Sequence, residues 1–456
     1  MSIPRVLLVP THRTGLADAV AAAAAEILTA QGRQVRYHHV GPLGPAASWD
    51  RWEGASFIDP ALYNEEALFG LYGIATRGAD ISLLSSHVGV LDRREEVPWL
   101  PADIAGTLDC PTVVLVDCRG WGTGIRIVAV GLRSCLPRLN LAGVIFTGVS
   151  DRGHLDLLKK VFADEDISVV GCLFAGDGPE WETPAPGPWG QPLAPDLLEA
   201  VARQVDIGGL VSIAGERGFI SSQNWLIDRG ADGPLIAVAG CKGFTPWSRD
   251  SIEVLRSAGA QIRRLDLLED ASLPEGAAGL VLAGTAWPGA LSDVALNTEL
   301  LRDMRAQIQN GLPTLALGGG MLLLLETVQD LLGRTSELAG IIPASGEVLW
   351  HLDEPSHVHV TAERDTILLA RGEAVTGWLL TDAEVIDPRH AWDAPLTIRA
   401  AGSESGWAEG LAGDSLLCSR VLLHMAGRPG MCPRFVKRCA AYAEGRTQEE
   451  ASRGCP

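Results

Sequence analysis

The chain has 456 residues, 47% of them hydrophobic and 20% charged, a length and balance that accommodate two or three domains with sizeable cores. Its formal net charge of −19 excludes a nucleic-acid or anionic-membrane surface, because phosphate binding needs clustered Lys and Arg. Nine cysteines without a CxxC pair fit reduced thiols rather than a disulfide or zinc framework, and no basic-then-apolar leader or membrane-length apolar run is present, so a cytoplasmic protein is expected.

In chain order, Val6 to Val9 form a short apolar run, followed by Pro10-Thr11-His12-Arg13-Thr14-Gly15 and a long alanine-rich stretch. That is strand, loop, helix. Apolar runs at 81–84, 112–116, 143–147 and 168–172 alternate with helix-like stretches, including 125–136 and 153–163, which is the rhythm of a doubly wound parallel sheet. The first α/β domain is placed at 1–205, a low-order linker at 206–233 and a second α/β domain at 234–456. The second begins with the strand Pro234 to Ala239, with further strands near 261–266, 279–283 and 314–317 and helices near 249–258, 293–309 and 320–332. Residues after 345 read as β-rich, with strands at Val348 to Trp350, His357 to Thr361 and Ala374 to Leu380, and a helix near 430–445 closes the chain.

The run Ala316-Leu317-Gly318-Gly319-Gly320-Met321 after Gly311-Leu312-Pro313 is built like a strand-to-helix elbow. A cysteine there would have its pKa lowered by the helix N-terminus and could attack a carbonyl; Gly318 can do neither. His357 and His359 share one strand face with spacing that suits two metal ligands, against the ordinary reading of a solvated face. No metal set is assigned from these spacings. Trp49, Trp52, Trp181 and Trp189 lie in loop-like surroundings, which suits a partner surface, an apolar ligand or inward packing under long loops.

Taken together, Val40-Gly41-Pro42 with Phe57-Ile58-Asp59-Pro60, Val88-Gly89-Val90-Leu91-Asp92, Pro111 to Asp117, Gly143-Val144-Ile145 with His154, and Ile236 to Ala239 before Phe244 resemble the cobyrinic acid a,c-diamide synthase family. The resemblance continues through Leu282-Ala283-Gly284 with Trp287-Pro288, Asn297, the 316–321 turn and Leu422-Leu423-His424-Met425-Ala426 before Arg434-Phe435-Val436. It covers nearly the whole chain. It implies an N-terminal P-loop-type ATP-binding domain of the dethiobiotin-synthetase-like kind and a C-terminal class I glutamine amidotransferase-like domain. It further implies a reaction in which ATP and Mg²⁺ activate a tetrapyrrole carboxylate and ammonia from glutamine displaces the phosphate.

Carried onto this chain residue by residue, the resemblance exposes gaps. The family loop ends in Gly-Lys-Thr-Thr, whereas here Gly15 is followed by Leu16, Ala17 and Asp18. Leu16 offers a phosphate no charge, and Asp18 is expected to repel one; Arg13 is the one loop cation that could substitute. The acidic residue expected before the 88–92 turn is replaced by Ser85, leaving Asp92 as the remaining carboxylate for Mg²⁺. In the second domain the nucleophile position is Gly318 and the general-base position is Leu422, while His424 lies two residues further on and reads as structural.

The retained nucleotide site is therefore Gly15, Arg13 and Asp92. In the family the tetrapyrrole lies between the domains, which makes His38, His39, Asp59, His87, Phe244 and Trp247 the candidate ligand contacts, with Trp287 a further stacking residue. Three readings stay open: a relative that has lost amidation and glutaminase activity and binds or delivers a tetrapyrrole or corrinoid; an amidase that uses free ammonia with ATP and Mg²⁺; and a structural or regulatory subunit with a protein partner or a second copy of itself.

Overall fold

The computed structural model describes residues 3–41, 55–92, 99–134, 139–176, 195–215, 232–241, 244–246, 249–286, 289–349, 356–380, 383–386, 394–428 and 430–453. The chain divides into two compact units, Met1–Pro60 with Leu68–Gln223, and Ala61–Ala67 with Asn224–Pro456.

The first unit is built on β1 (Arg5–Pro10), β2 (Val35–Val40), β3 (Ala55–Ile58), β4 (Ile81–Ser85), β5 (Thr112–Asp117), β6 (Leu141–Val149) and β7 (Val169–Phe174), in the order β3-β2-β4-β1-β5-β6-β7. Every pairing in this sheet is parallel. Its crossovers carry α1 (Leu16–Ala30), α2 (Glu65–Ala75), α3 (Pro101–Thr107), α4 (Arg126–Ser134) and α5 (Arg152–Ala163), and α6 (Pro195–Gln204) and α7 (Ile207–Gly215) follow the last strand. Strands covered on both faces must be apolar throughout, and Val6 to Val9 are fully buried. The alanines of α1 let that helix settle close onto the sheet, where Ala17, Ala21, Ala23, Ala24 and Ala25 join the core with Val6, Tyr37 and Leu83. Arg5 is also fully buried and donates to the carbonyl oxygens of Leu108 at 2.6 Å and Ile3 at 3.1 Å.

Part of the stretch expected to be a linker, 206–233, is α7. Its sequence, IGGLVSIAG, reads as low-order because of the glycines. Asp206 accepts the Gly209 amide at 2.8 Å and so caps the helix, while Leu210 and Ala214 are buried in the first core.

The second unit contains β8 (Leu235–Gly240), β9 (Phe244–Pro246), β10 (Gln261–Asp266), β11 (Ala277–Ala286) and β12 (Thr314–Gly318), which with the strands Leu416–Ser419 and Leu411–Ala412 make a mixed sheet in the order β10-β8-β11-β12, then 416–419, then 411–412. Helices α8 (Arg249–Ser257), α9 (Ala290–Val294) and α10 (Thr298–Gln309) lie between its strands, and α11 (Met431–Arg453) follows. The helix expected near 320–332 is instead a short 3-10 turn, Gly319–Leu324, leading into a strand, Leu325–Gln329. The region after 345 is β-rich, and Ser356–Ala362 pairs antiparallel with Ala374–Leu379 and with Leu396–Ala400.

The start of α11 is tied to the hairpin below it by one carboxylate. Glu373 accepts from Arg434 at 2.8 Å and from the Ala370 amide at 2.7 Å, and Arg428 lies 3.2 Å away. The Ala370 amide first, and then the Arg434 guanidinium, pull its carboxyl down to about 2 from the ordinary glutamate value of 4.5. A group whose folded pKa is depressed stabilises above its unfolded pKa and loses that contribution as pH falls toward the folded value. Glu373→Gln is therefore expected to lower the urea midpoint at pH 6 to 7, with the gap to the unsubstituted protein narrowing as pH drops below 4.5; an equal gap at every pH would show that Glu373 acts through shape rather than charge.

Candidate functional site

The loop between β1 and α1 borders an open cleft of about 240 Å³ that includes Arg13, Leu16, Asp117, Arg119 and Gly148. Pockets for drug-sized ligands occupy ~300–1,000 Å³. Gly15 caps α1 with φ −70° and no side-chain hydrogen bond, so the helix N-terminus faces the loop as in an anion site. The charges around it do not complete one. Leu16 is apolar and only 7% exposed. Arg119 is already engaged, with Nη2 2.7 Å and Nε 3.0 Å from Asp117 Oδ2; burial alone would raise the Asp117 carboxyl, but these bonds hold it below the usual range. Arg13 lines the cleft from the loop. Asp92 is exposed and its amide bonds the Gly89 carbonyl at 2.9 Å, which makes it part of a tight turn.

Asp18 does not point into this cleft, contrary to the expectation that it would repel a bound phosphate there. It lies in the first turn of α1, fully buried, with its carboxylate turned onto the sheet. Tyr37 and His39 share one face of β2 because strand side chains alternate, and β2 is in register with β4 so that His39 pairs with Ser85. The Tyr37 hydroxyl donates to Asp18 Oδ1 at 3.4 Å, His39 Nδ1 lies 3.2 Å from the same oxygen, and Ser85 Oγ donates to it as well. His87 Nδ1 is 3.1 Å from His39 Nε2 and 4.0 Å from Asp18 Oδ2, and the two imidazoles stack with centroids 5.0 Å apart and planes 8° from parallel.

Burial opposes the Asp18 charge, but His39, His87 and the Ser85 bond outweigh it and hold the carboxyl below its ordinary value. Burial first, then repulsion from His39, pushes the His87 imidazole down to about 4 against the pull of Asp18. Tyr37 is raised by burial and by the same carboxylate.

Of the other expected contacts, His38 faces the opposite side of β2 against Tyr72, with centroids 5.1 Å apart, and Asp59 is buried and accepts from Trp99 Nε1 at 3.3 Å. Phe244 is a core residue of the second unit. Trp247, Trp287, Trp49, Trp52, Trp181, Trp189 and the segment 350–355 lie outside the described residues. His357 is buried, while His359 is exposed beside Thr376. From the sequence, His39 and His87 are expected as ligand contacts and Asp18 as a defect of the loop, with no metal set; the fold joins all three. Among the described residues they are the one trio of His, Cys, Asp or Glu whose donor atoms lie within 4.8 Å of one another. The signal available in the sequence was a carboxylate on a helix face otherwise made of alanine and leucine.

In the second unit, Gly318 ends β12 with φ 62° and ψ −133°. That backbone is the sharp turn an elbow nucleophile requires, and a residue with a Cβ tolerates it only under strain. A Cβ placed on Gly318 would lie 2.6 Å from the Gly284 carbonyl oxygen, 2.7 Å from Leu380 Cδ1 and 3.6 Å from Leu422 Cβ. The positions expected to hold nucleophile and base are thus neighbours, and the space between them is filled with carbon. A Cβ on Gly320 would fall on the Leu282 carbonyl, so no room exists beside the turn for a side chain there. His424 is buried; its Nδ1 accepts the Ala426 amide at 3.1 Å and its ring lies 5.0 Å from that of Tyr63. It caps the 3-10 turn Met425–Gly427. Cys418 is fully buried and burial pushes its thiol well above the ordinary range, so it is no replacement nucleophile.

A parallel-sheet unit with a strand–glycine loop–helix at its first crossover, followed by a second α/β unit with a strand-end elbow, defines a two-unit α/β protein. No family model matches the chain. Curated proteins to which it is similar include cobyrinate and hydrogenobyrinate a,c-diamide synthases. The cobyrinate a,c-diamide synthase of Salmonella typhimurium is 27% identical over 393 residues, covering 83% of this chain and 85% of that protein. The hydrogenobyrinate a,c-diamide synthase of Thermobifida fusca is 26% identical over 462 residues, 95% of this chain and 96% of that one. The cobyrinate a,c-diamide synthase of Caldanaerobacter subterraneus is 23% identical over 425 residues, 90% and 92% of the two chains. No described helix is long and apolar enough to cross a membrane.

Gly318→Ala and Gly318→Cys are expected to destabilise the protein by about 1–3 kcal/mol from backbone strain alone, with more lost to the contacts at Gly284 and Leu380. Urea unfolding measures this. Adding Leu380→Ala to Gly318→Cys should recover part of the loss, and neither variant should hydrolyse glutamine. A Gly318→Cys protein as stable as the original would mean that the elbow is not closed.

Proposed function

We propose that this chain keeps the two-unit frame of the corrinoid a,c-diamide synthases without their amide-forming reaction, and that it binds or delivers a tetrapyrrole or corrinoid. The observation that carries the first half is the elbow of the second unit, where glycine and leucine stand at the reactive positions and Leu380 fills the space that a nucleophile would need. A single lost group suits a variant mechanism. Here the general base is lost with the nucleophile, and Leu16 removes the cation from the phosphate loop of the other unit.

The second half is supported by the relatives, whose names carry corrinoid substrates, at coverage of 83–95% for the first two described. A large conjugated ring is held by buried area and stacking, both of which outlive the loss of individual catalytic atoms. An amidase fed by free ammonia remains the competing reading, favoured by Arg13 at the edge of the cleft beside the helix N-terminus.

The purified protein is expected to release no glutamate from glutamine, and to bind cobyrinic or hydrogenobyrinic acid saturably in a visible-absorption titration whose midpoint is unchanged by Mg-ATP. Binding strengthened at least tenfold by Mg-ATP would overturn the non-catalytic reading in favour of the ammonia-dependent synthase. Failure of both compounds to bind would sink the ligand reading and leave a structural or regulatory subunit.

A further inference from the structure

We propose that Asp18, His39 and His87 form a binding site for one divalent first-row transition metal ion inside the first unit, with Asp18 Oδ2, His39 Nε2 and His87 Nδ1 as ligands. None of the three lines the cleft beside the glycine loop, so the site is separate from any Mg²⁺ that would accompany a nucleotide.

Donor chemistry comes first. Two imidazoles and one carboxylate suit Zn²⁺, Fe²⁺, Co²⁺ or Ni²⁺, whereas Mg²⁺ and Ca²⁺ take oxygen ligands. The separation of the donors fits next. Two ligands each about 2.1 Å from a common ion lie about 3.0–3.4 Å apart for angles between 90° and tetrahedral, and His39 Nε2 to His87 Nδ1 is 3.1 Å. Asp18 Oδ2 to His87 Nδ1 is 4.0 Å, a gap that a small side-chain rotation closes.

The surroundings match those of a metal centre. A ligating histidine ordinarily donates its other ring N–H to a carboxylate, and His39 Nδ1 sits 3.2 Å from Asp18 Oδ1. In the tautomer with the proton on Nδ1, Nε2 is the nitrogen left to hold a metal. Tyr37 and Ser85 also donate to Oδ1, which fixes the carboxylate and turns its second oxygen to the site. Asp18 Oδ2 is fully buried and accepts no hydrogen bond from the described residues. A carboxylate oxygen in that state is costly unless a cation meets it.

Room for a further ligand exists on one side. A Cβ on Gly41, whose φ is +132°, would touch His39 Nε2, Ser86 Oγ and Val88 Cγ2, each at 3.7 Å, so the glycine leaves space for one atom beside the imidazole. Three protein ligands with an open fourth position is the arrangement of a reactive or exchangeable centre rather than a closed structural one. The rival account is a metal-free relay in which His39 and His87 share a proton over the same 3.1 Å.

The test uses the full chain purified without a metal-affinity step, treated with chelator and titrated with Co²⁺, alone and in the absence of any corrinoid or nucleotide. Expected are d–d absorption bands that saturate at one Co²⁺ per chain, competition by Zn²⁺, and a raised thermal midpoint. Asp18→Asn and His87→Gln should each weaken Co²⁺ binding at least a hundredfold while the far-UV circular dichroism is unchanged. If Asp18→Asn fails to fold, the His87→Gln variant and the paramagnetic shifts of the His39 and His87 ring protons on Co²⁺ addition decide. Absence of bands in the folded chain, or bands of equal strength in His87→Gln, overturns the proposal and leaves the relay. Because the readout needs neither macrocycle nor ATP, it stands or falls apart from the functional reading above.

Discussion

A carboxylate that never reaches water organises the first unit. Asp18 is 0% exposed, and an ionised side chain in that setting is tolerated only where donors or cations surround it. The sheet supplies them from two adjacent strands: Tyr37 and His39 from β2, Ser85 from β4, and His87 just beyond β4. Each of these contacts also pins the first turn of α1 to the carboxyl ends of β2 and β4. The position of the glycine loop follows from this anchor, since Gly15 immediately precedes the helix that Asp18 holds down. A negative charge in the first turn further complements the helix dipole, so the N-terminus that a nucleotide loop would offer to phosphate is partly satisfied from beneath.

The elbow of the second unit is set by backbone geometry. Gly318 retains the positive φ of an elbow although no nucleophile requires it. The reason is topological: β12 pairs with β11 through Gly284 and Gly318, and the chain must then reverse into the 3-10 turn Gly319–Leu324 within one residue. Glycine makes that reversal without strain, and the absent side chain lets the Gly284 carbonyl and Leu380 approach. Leu422, paired with Trp378 across the neighbouring strands, completes an apolar contact where a polar pair is expected. The turn is a property of the fold, and the chemistry it serves elsewhere is separable from it.

What the sequence disclosed follows the range of the interactions involved. The strand, loop and helix at 6–30 and the glycine at the elbow are local patterns, so their reading needs no knowledge of distant neighbours. The Asp18 cluster is the opposite case: its partners lie 21 and 67 residues away for His39 and Ser85, and only the strand order β2-β4-β1 brings them together. Reading Asp18 as part of the loop misplaced it, because a first-turn residue can face either the loop or the sheet. The sequence reads 320–332 as a helix, but Met321 to Leu325 form an unbroken apolar run, which periodicity cannot assign. The buried positions that follow, Leu325 and Val328, are three residues apart, because the pairing shifts register between Leu325 and Thr327; that spacing imitates a helix and hides the strand. At 206–215 the glycines hid a helix that Asp206 caps.

Recognition and catalysis place unequal demands on such a frame. Holding a macrocycle draws on contact area, at roughly 25 cal/mol per Å² of apolar surface, and degrades gradually as residues change. Forming an amide from glutamine needs a nucleophile, a base and a phosphate clamp held to a fraction of an ångström, and removing any member of a nucleophile–base pair costs several orders of magnitude in rate. Buried strands resist substitution because each core side chain carries packing energy, whereas Leu16 and Leu422, 7% and 3% exposed, and the buried Gly318 are accommodated by that packing. Apolar residues at those positions are accommodated by the packing, while the anchoring carboxylate at Asp18 cannot be exchanged without leaving two buried imidazoles and a tyrosine to find new partners.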